Sequence, residues 1–414
     1  MNYQLSAINA SRSELMTTVI KKKNIVLGVC GGIAAYKSVE LLRLLKKQGA
    51  NVRVIMTENA GAFVGSLTFE ALSGETVCSS LFEKSSDAAI RHIDWAKQAN
   101  AVIIAPATAN IIGKLACGIA DDALSTFMLA VTCPVGICPS MNTHMYENMA
   151  VKRNLETLRN DGYFIIEPDA GELACGTTGP GRLPDPEDIV DRLLKMLTIK
   201  DMKDKKVLVT AGPTWEFIDP VRFITNPSSG KMGYALARAA EYRGGDVTLI
   251  SGPANIPDPL NVNVVRIKTA QEMAQAVFEH MDDYHIIIKA AAVSDYRPKE
   301  KEKHKIKKDN DEMIIDLTKN QDILKELGKR KKDQVLVGFA AETRDLEKNA
   351  GKKLKEKNLD IIAGNLVGDP SSGFGTDTNK VTLFFKDGKK ESIPEMGKDE
   401  VAHLLLDRIV ERMG

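Results

Sequence analysis

One arrangement restricts the fold more than any other, because it occurs twice. Asn24–Cys30 (NIVLGVC) is a short apolar, β-branched run that enters Gly31-Gly32. Ile33–Gln48 follows with Val39, Leu41, Leu42, Leu44 and Leu45 at helical spacing, carries Lys46-Lys47 near its end and stops at Gly49. Asn51–Met56 then reads as a second strand. The second half repeats the order: Lys206–Ala211 (KVLVTA), a Gly-Pro turn, a helix over Met232–Arg243, Gly244-Gly245 and a strand over Asp246–Ile250. Strand, glycine loop, helix and strand in this order build a parallel sheet covered by helices.

Further apolar runs extend each sheet. They lie at Ala101–Ala105, Val135–Pro139 and Phe164–Glu167 in the first half. In the second they lie at Val264–Ile267, His285–Lys289, Val335–Phe339 and Asp360–Ala363, with helical spacing at Ala270–Met281 and Leu346–Lys357 between them. Lys380–Phe385 precedes the hairpin-type turn Lys386–Lys389, which predicts an antiparallel edge. The expected fold is α/β, with two tandem Rossmann-like, mostly parallel, three-layer domains. A chain of 414 residues exceeds what one core organises, which agrees with that count. After the closing helix Ile189–Leu197, the charged run TIKDMKDKK marks the boundary. The expected division is an extension over 1–22, a first domain over 23–198, a linker over 199–204 and a second domain over 205–414.

Composition excludes several classes. A formal charge of +1 gives no general pull towards nucleic acid or a membrane surface. Six cysteines confined to the first half, with no CxxC pair, resemble neither a secreted disulfide scaffold nor a zinc knuckle, so a reducing cytoplasm is expected. Residues 1–22 lack the apolar core of a signal peptide, and no stretch supplies the roughly 18–20 apolar residues of a membrane span. A soluble protein is the expectation, with the extension as a mobile tail.

The chemistry concentrates at strand exits. Gly31-Gly32-Ile33-Ala34 opens a helix, where close backbone approach and free N–H groups suit an anion, although a merely tight turn reads the same way. There is no GxGxxG and no Walker lysine. Thr57 and Ala105-Pro-Ala-Thr-Ala-Asn110 follow later strands, where ligands of parallel sheets bind. Pro139-Ser-Met-Asn-Thr-His-Met-Tyr146 presents Asn142, whose amide can grip a carboxylate, with Met141, Met145 and Tyr146 as apolar walls. Cys175, in the Gly- and Thr-rich AGELACGTTGPGRL, is a candidate reactive thiol. His92, in RHIDW, titrates near neutrality and offers a base, or is a structural histidine.

GGIAAYK, APATAN, PSMNTHMY and ACG, in this order, resemble the flavin-dependent cysteine decarboxylases, and the downstream half resembles phosphopantothenate–cysteine ligases. The whole resembles the bifunctional bacterial coenzyme A biosynthesis family, in which a phosphopantothenoylcysteine decarboxylase is fused to its ligase, over roughly residues 23–412. Thr177 stands where that family often has Asp after ACG.

The resemblance implies a flavodoxin-like first domain holding FMN through Gly31, Gly32, Ile33, Thr57, Ala107, Thr108, Ala109 and Asn110. It implies that Asn142 orients the departing carboxylate, His92 assists at the reacting thiol and Cys175 donates a proton. A thiol of ordinary pKa, ~8.5, is protonated at neutral pH and needs no shift for that duty.

In the second half, Ala211-Gly-Pro-Thr214 and Asn226-Pro-Ser-Ser-Gly230-Lys-Met-Gly233 suit a phosphate or a loop cap, and Asp295 at a strand exit suits ribose or magnesium. Lys299–Lys308 reads as a solvated loop; lacking interleaved aromatics, it is a poor nucleic-acid patch. By resemblance it is a lid whose Lys305 reaches phosphates. The resemblance further implies a CTP site of Lys289, Ala290, Ala291, Asp295, Gln321, Asp322, Ile323, Leu324, Phe339, Lys353 and Lys357, with Asn226 at an activated acyl group and Mg2+ at Asp295. Its substrates are 4′-phosphopantothenate, cysteine and CTP. Trimeric decarboxylase and dimeric ligase contacts imply a homododecamer. Two rivals stay open, each leaving one half idle: a flavin-binding decarboxylase or prenyltransferase fused to an inert nucleotide-binding module, and a non-enzymatic flavoprotein that regulates a partner.

Overall fold

The computed structural model describes residues 20–80, 88–173, 176–307, 313–366 and 375–413, with side chains at 88–92 left aside. The chain divides into two compact units, meeting at Thr198 and Ile199.

In the first unit the elements are β1 (Asn24–Val29), α1 (Ala35–Lys47), β2 (Asn51–Met56), α2 (Ser66–Ser73), α3 (Ala88–Gln98), β3 (Ala101–Ala107), α4 (Ala109–Cys117), α5 (Ala123–Leu129), β4 (Val135–Pro139), α6 (Thr143–Glu147), α7 (Met149–Asn160), β5 (Phe164–Ile165), β6 (Asp169–Glu172), β7 (Thr178–Arg182) and α8 (Pro186–Leu197). β2-β1-β3-β4-β5 form a wholly parallel sheet. Side chains alternate across it: Ile25, Leu27 and Val29 of β1 pack on the face covered by α1, α2 and α8, whereas Val26 joins the core under α3, α4, α5 and α7. The order reverses between β1 and β3, leaving a crevice at their carboxyl ends.

The second unit contains β8 (Lys206–Ala211), β9 (Glu216–Phe217), β10 (Phe223–Ile224), α9 (Lys231–Tyr242), β11 (Asp246–Ser251), β12 (Asn263–Arg266), α10 (Ala270–Glu279), β13 (Ile286–Lys289), β14 (Tyr296–Pro298), β15 (Leu317–Lys319), α11 (Ile323–Arg330), β16 (Val335–Glu342), α12 (Leu346–Glu356), β17 (Ile361–Leu366), β18 (Thr378–Phe385), β19 (Lys390–Gly397) and α13 (Lys398–Met413). Its eight-stranded sheet has the order β12-β11-β8-β13-β16-β17-β18-β19. The first six strands are parallel, and β18 and β19 add the expected antiparallel edge. Val207, Val209, Ile286 and Ile288 pack beneath α9 and α13; Leu208 and Ile287 face α10, α11 and α12.

Element ends differ from the sequence reading mostly by a residue or two, as fraying ends do. Phe164–Glu167 contracts to two residues because β5 pairs with β4 alone at the sheet edge. The charged segment over 199–204 is built into the second unit: Met202 is fully buried, and both oxygens of Asp201 accept from Arg243, at 2.8 and 2.6 Å. Arg243, 1% exposed, also donates to Asp407 at 2.8 Å and to the His403 carbonyl at 3.1 Å. A buried guanidinium satisfied on three sides ties this segment to α9 and α13.

Candidate active sites

Short apolar strands deliver their exits to one rim of the first sheet, and backbone hydrogen bonds bind those exits together. The Cys30 N–H donates to Pro106 O at 3.2 Å and the Ser140 N–H to Ala107 O at 3.0 Å, while the Ser38 hydroxyl donates to Ala105 O at 2.6 Å. Thr108 caps α4, accepting from the Ile111 N–H at 3.4 Å. Burial pushes the Cys30 thiol up to about 12 and raises Cys138 as well, so these thiols are structural.

An opening of about 490 Å³ lies over this rim. Of the residues singled out in the sequence, Gly31, Gly32, Ile33, Thr108, Ala109 and Asn142 line it. Thr57, Ala107 and Asn110 do not: the Thr57 N–H bonds the Val29 carbonyl, Ala107 is fully buried in β3 and Asn110 is exposed in the first turn of α4. Met141 and Met145 form apolar walls, whereas Tyr146 turns its hydroxyl to Glu167, which also accepts from Arg159. Tyr36, Lys37, Glu172, Arg182 and Leu183 complete the wall; they lie within GGIAAYK and AGELACGTTGPGRL, although none of them was singled out as a site residue. Lys37 is held by Asp185 at 2.8 Å and by the Leu183 carbonyl at 3.1 Å.

Two glycines are sterically required. A Cβ on Gly31 would stand 2.5 Å from the Asn59 Cβ and 2.6 Å from its backbone carbon. Gly181, at φ 144°, lets the β6–β7 hairpin approach so closely that a Cβ would stand 2.2 Å from the Met141 carbonyl oxygen. The Met141 N–H donates to Gly181 O at 3.0 Å, pinning the hairpin beside Asn142. Asn142 caps α6, accepting from the His144 N–H at 2.8 Å, and its amide lies 3.4 Å from the Thr177 hydroxyl. Cys175 lies outside the described residues; His92 sits on α3, its side chain likewise outside the description.

In the second unit an opening of about 290 Å³ lies at the carboxyl end of β13, beside Phe339 in the middle of β16 and Ile362 near the start of β17. Lys289, Ala291, Asp295, Gln321, Asp322, Ile323, Leu324, Phe339, Lys353 and Lys357 line it; Ala290 and Lys305 do not. Burial and the neighbouring Lys357 charge push Lys289 down to about 8, against the pull of Asp322 and Asp295. Lys357 pairs with Asp322 at 2.8 Å, and Lys353 with Glu342 at 2.7 Å. Burial would raise Asp322, but Lys357, the Lys325 N–H and Lys289 together hold it below the usual carboxylate range.

Exposed Lys305 borders an anchored residue. The Ile306 N–H donates to Asp219 at 3.2 Å and the Ile306 carbonyl accepts from Arg222 at 2.6 Å. Asn226 lies apart from the opening, donating to the Ala292 carbonyl at 3.3 Å. Among the described residues no cluster of three His, Cys, Asp or Glu side chains suits a metal, and no helix is long and apolar enough to cross a membrane.

A glycine-lined strand exit in one α/β unit and a lysine-flanked strand exit in the other define a two-domain α/β protein with a ligand-sized opening in each unit. Residues 14–198 match the flavoprotein family, and residues 202–413 match the DNA/pantothenate metabolism flavoprotein C-terminal domain. The coenzyme A biosynthesis bifunctional protein CoaBC of Bacillus subtilis is 51% identical over 395 residues, covering 94% of this chain and 97% of that protein. Its namesake in Escherichia coli is 47% identical over 395 residues, with the same coverage of 94% and 97%. A crystal structure of the C-terminal domain of a CoaBC is 44% identical, covers 52% of this chain and 98% of that one, and superposes with a TM-score of 0.45. The chain belongs to the family of coenzyme A biosynthesis bifunctional proteins.

Proposed function

We propose that the two halves of this bifunctional coenzyme A biosynthesis enzyme act in succession, the second before the first. The second unit joins cysteine to 4′-phosphopantothenate. The substrate carboxylate attacks the α-phosphate of CTP, pyrophosphate leaves, and the cysteine amine then displaces CMP from the acyl-cytidylate. Lys289, Lys353 and Lys357 line the opening and supply positive charge towards the phosphates, with Lys305 on the anchored lid and Asn226 at the acyl group. Mg2+ commonly uses one or two carboxylates together with substrate phosphates, so a single exposed Asp295 suits it.

The first unit converts 4′-phosphopantothenoylcysteine into 4′-phosphopantetheine and carbon dioxide. Its opening fits FMN: Gly31 and Gly32 bare the backbone at the β1 exit, and Ala34 at the N-cap of α1 supplies no side-chain cap, which suits a phosphate. Bound there, the flavin supplies reversible two-electron chemistry at the substrate thiol. Asn142 orients the carboxylate that departs, His92 assists at the thiol, and Cys175 holds the proton returned to the product. Ile33, Tyr36 and Met145, exposed at 66%, 63% and 49%, line this opening and support a subunit contact there. The assembly proposed is a cytoplasmic homododecamer of decarboxylase trimers and ligase dimers.

The observation that carries this reading is the pairing of a glycine-rimmed opening and a lysine-lined opening on one chain with that family membership. The flavin-loaded protein is given 4′-phosphopantothenate, cysteine and CTP, and pyrophosphate and carbon dioxide are followed separately. Equal yields are expected. Carbon dioxide from supplied conjugate without pyrophosphate from CTP would make the second unit an inert module, and flavin binding with neither product would make the protein a regulator.

A further inference from the structure

A further opening in the second unit, of about 630 Å³, has no part in either reaction. α10 forms one wall of it. Met273 and Val277 of that helix are spent on the core, and Ala270, Ala274 and Phe278, four residues apart, run along the opening as an apolar stripe with Gln271 and Gln275 beside them. The strands β14 and β15 and the residues after them supply the other side, with Arg297, Lys319 and Gln321. The start of α10 is closed by its own capping box, in which Thr269 and Glu272 each accept the other's N–H, at 3.2 and 3.3 Å. What remains is a space of small-molecule size whose character is set by its side chains.

Its charge is unbalanced. In the 290 Å³ opening Lys357 pairs with Asp322 and Lys353 with Glu342. Here no acidic side chain lines the wall, and neither Arg297 nor Lys319 has a carboxylate partner among the described residues. Of the two carboxylates on α10, Glu279 lies outside the lining and Glu272 is turned to the N–H groups of Lys268 and Thr269, at 2.7 and 3.3 Å. The half-buried Arg297 spends only Nη1, donating to the Lys319 carbonyl at 3.2 Å and to Asn320 Oδ1 at 2.9 Å. Those bonds fix the guanidinium, while Nε and Nη2 keep N–H groups with no partner among the described residues. A fixed fork beside a lysine matches a phosphate monoester, which carries about −1.5 to −2 charges near neutral pH. The apolar stripe of α10 then receives the carbon body of the ester, and the glutamine amides its polar groups.

We propose that this opening is a second small-molecule site of the second unit, taking a phosphate monoester with an apolar body. It borders the lysine-lined opening at Lys319, Asn320 and Gln321, which line both, and the two bind their ligands side by side.

Phenyl phosphate and methyl phosphate are titrated calorimetrically into the full-length flavin-loaded protein at low ionic strength, alone and with saturating CTP or saturating 4′-phosphopantothenate. Phenyl phosphate is expected to bind with a Kd of about 1 mM or tighter, and methyl phosphate about tenfold more weakly. The exposed Gln275 allows the charge of the wall to be changed without disturbing the core. Gln275→Glu should weaken phenyl phosphate about fivefold and Gln275→Lys strengthen it by a similar factor, with the melting temperature of the protein unchanged. Arg297→Gln should weaken it about tenfold or more, and if that variant does not fold, the Gln275 pair decides alone. CTP or 4′-phosphopantothenate should shift the affinity by about threefold at most. No binding by the unaltered protein, equal affinity in the two Gln275 variants, methyl phosphate binding as tightly as phenyl phosphate, or displacement of phenyl phosphate by CTP or 4′-phosphopantothenate each overturns the site.

Discussion

Two openings lie at the carboxyl ends of parallel strands, yet they occupy different places. In the first unit the opening joins Gly31–Ala34 after β1 to Thr108 and Ala109 after β3, across the reversal of strand order. In the second unit the strand order reverses between β8 and β13, and the backbone pairing of these strands continues past their ends. The N–H groups of Ala290 and Ala292 bond Thr210 O at 3.2 Å and Gly212 O at 2.9 Å, and a Cβ on Gly252 would stand 1.8 Å from Pro213 O. The opening is displaced to β13, β16 and β17, where Lys289, Lys353 and Lys357 face it. The same strand, loop and helix order therefore carries different chemistry because different residues stand at the exits.

The largest test of that contrast is Gly31→Ala. A Cβ 2.6 Å from the Asn59 backbone forces the Gly31–Gly32 loop to move; if that loop holds the flavin, flavin affinity should fall by about 100-fold or more while ligation stays within twofold. Absorbance of the purified protein and pyrophosphate release measure the two. Retained colour would show that this loop does not shape the first opening.

Next in size, Arg243→Met leaves Asp201 and Asp407 facing each other without their cation and should destabilise the second unit by about 3–5 kcal/mol. Chemical denaturation followed by tryptophan and by flavin absorbance should show an early transition that spares the flavin. Simultaneous loss of both signals would mean that the units do not unfold separately.

Lys357→Met removes a cation from the opening and leaves Asp322 without its partner, so KM for CTP should rise about 10- to 100-fold with decarboxylation intact.

The smallest effect is a pH dependence. Lys289 is pushed down to about 8, so without nucleotide it loses its charge as pH rises through that value, and attraction for a triphosphate weakens above it. Nucleotide affinity should be level below pH 8 and fall by at most about tenfold per pH unit above it, until the pKa of the nucleotide-bound lysine is reached. Lys289→Met should abolish that limb, which titration calorimetry can follow.

The strands were legible because buried parallel strands are continuous runs of Val, Ile and Leu, as in NIVLGV and KVLVTA. The β6–β7 hairpin was not, since Asp169–Glu172 and Thr178–Arg182 have no apolar alternation and hold their place through Gly181 packed on Met141. Lys289 and Lys357 were named by resemblance, but Lys289's lowered pKa depends on residues 68 positions apart in sequence meeting at one opening.

If the two openings run their reactions independently, the variants Cys175→Ser and Lys305→Gln separate them in the coupled assay. Cys175→Ser should release pyrophosphate and accumulate conjugate without completing the conversion to 4′-phosphopantetheine. Lys305→Gln should release no pyrophosphate yet decarboxylate supplied conjugate at the unaltered rate. Loss of both reactions in either folded, flavin-loaded variant would contradict the division of labour.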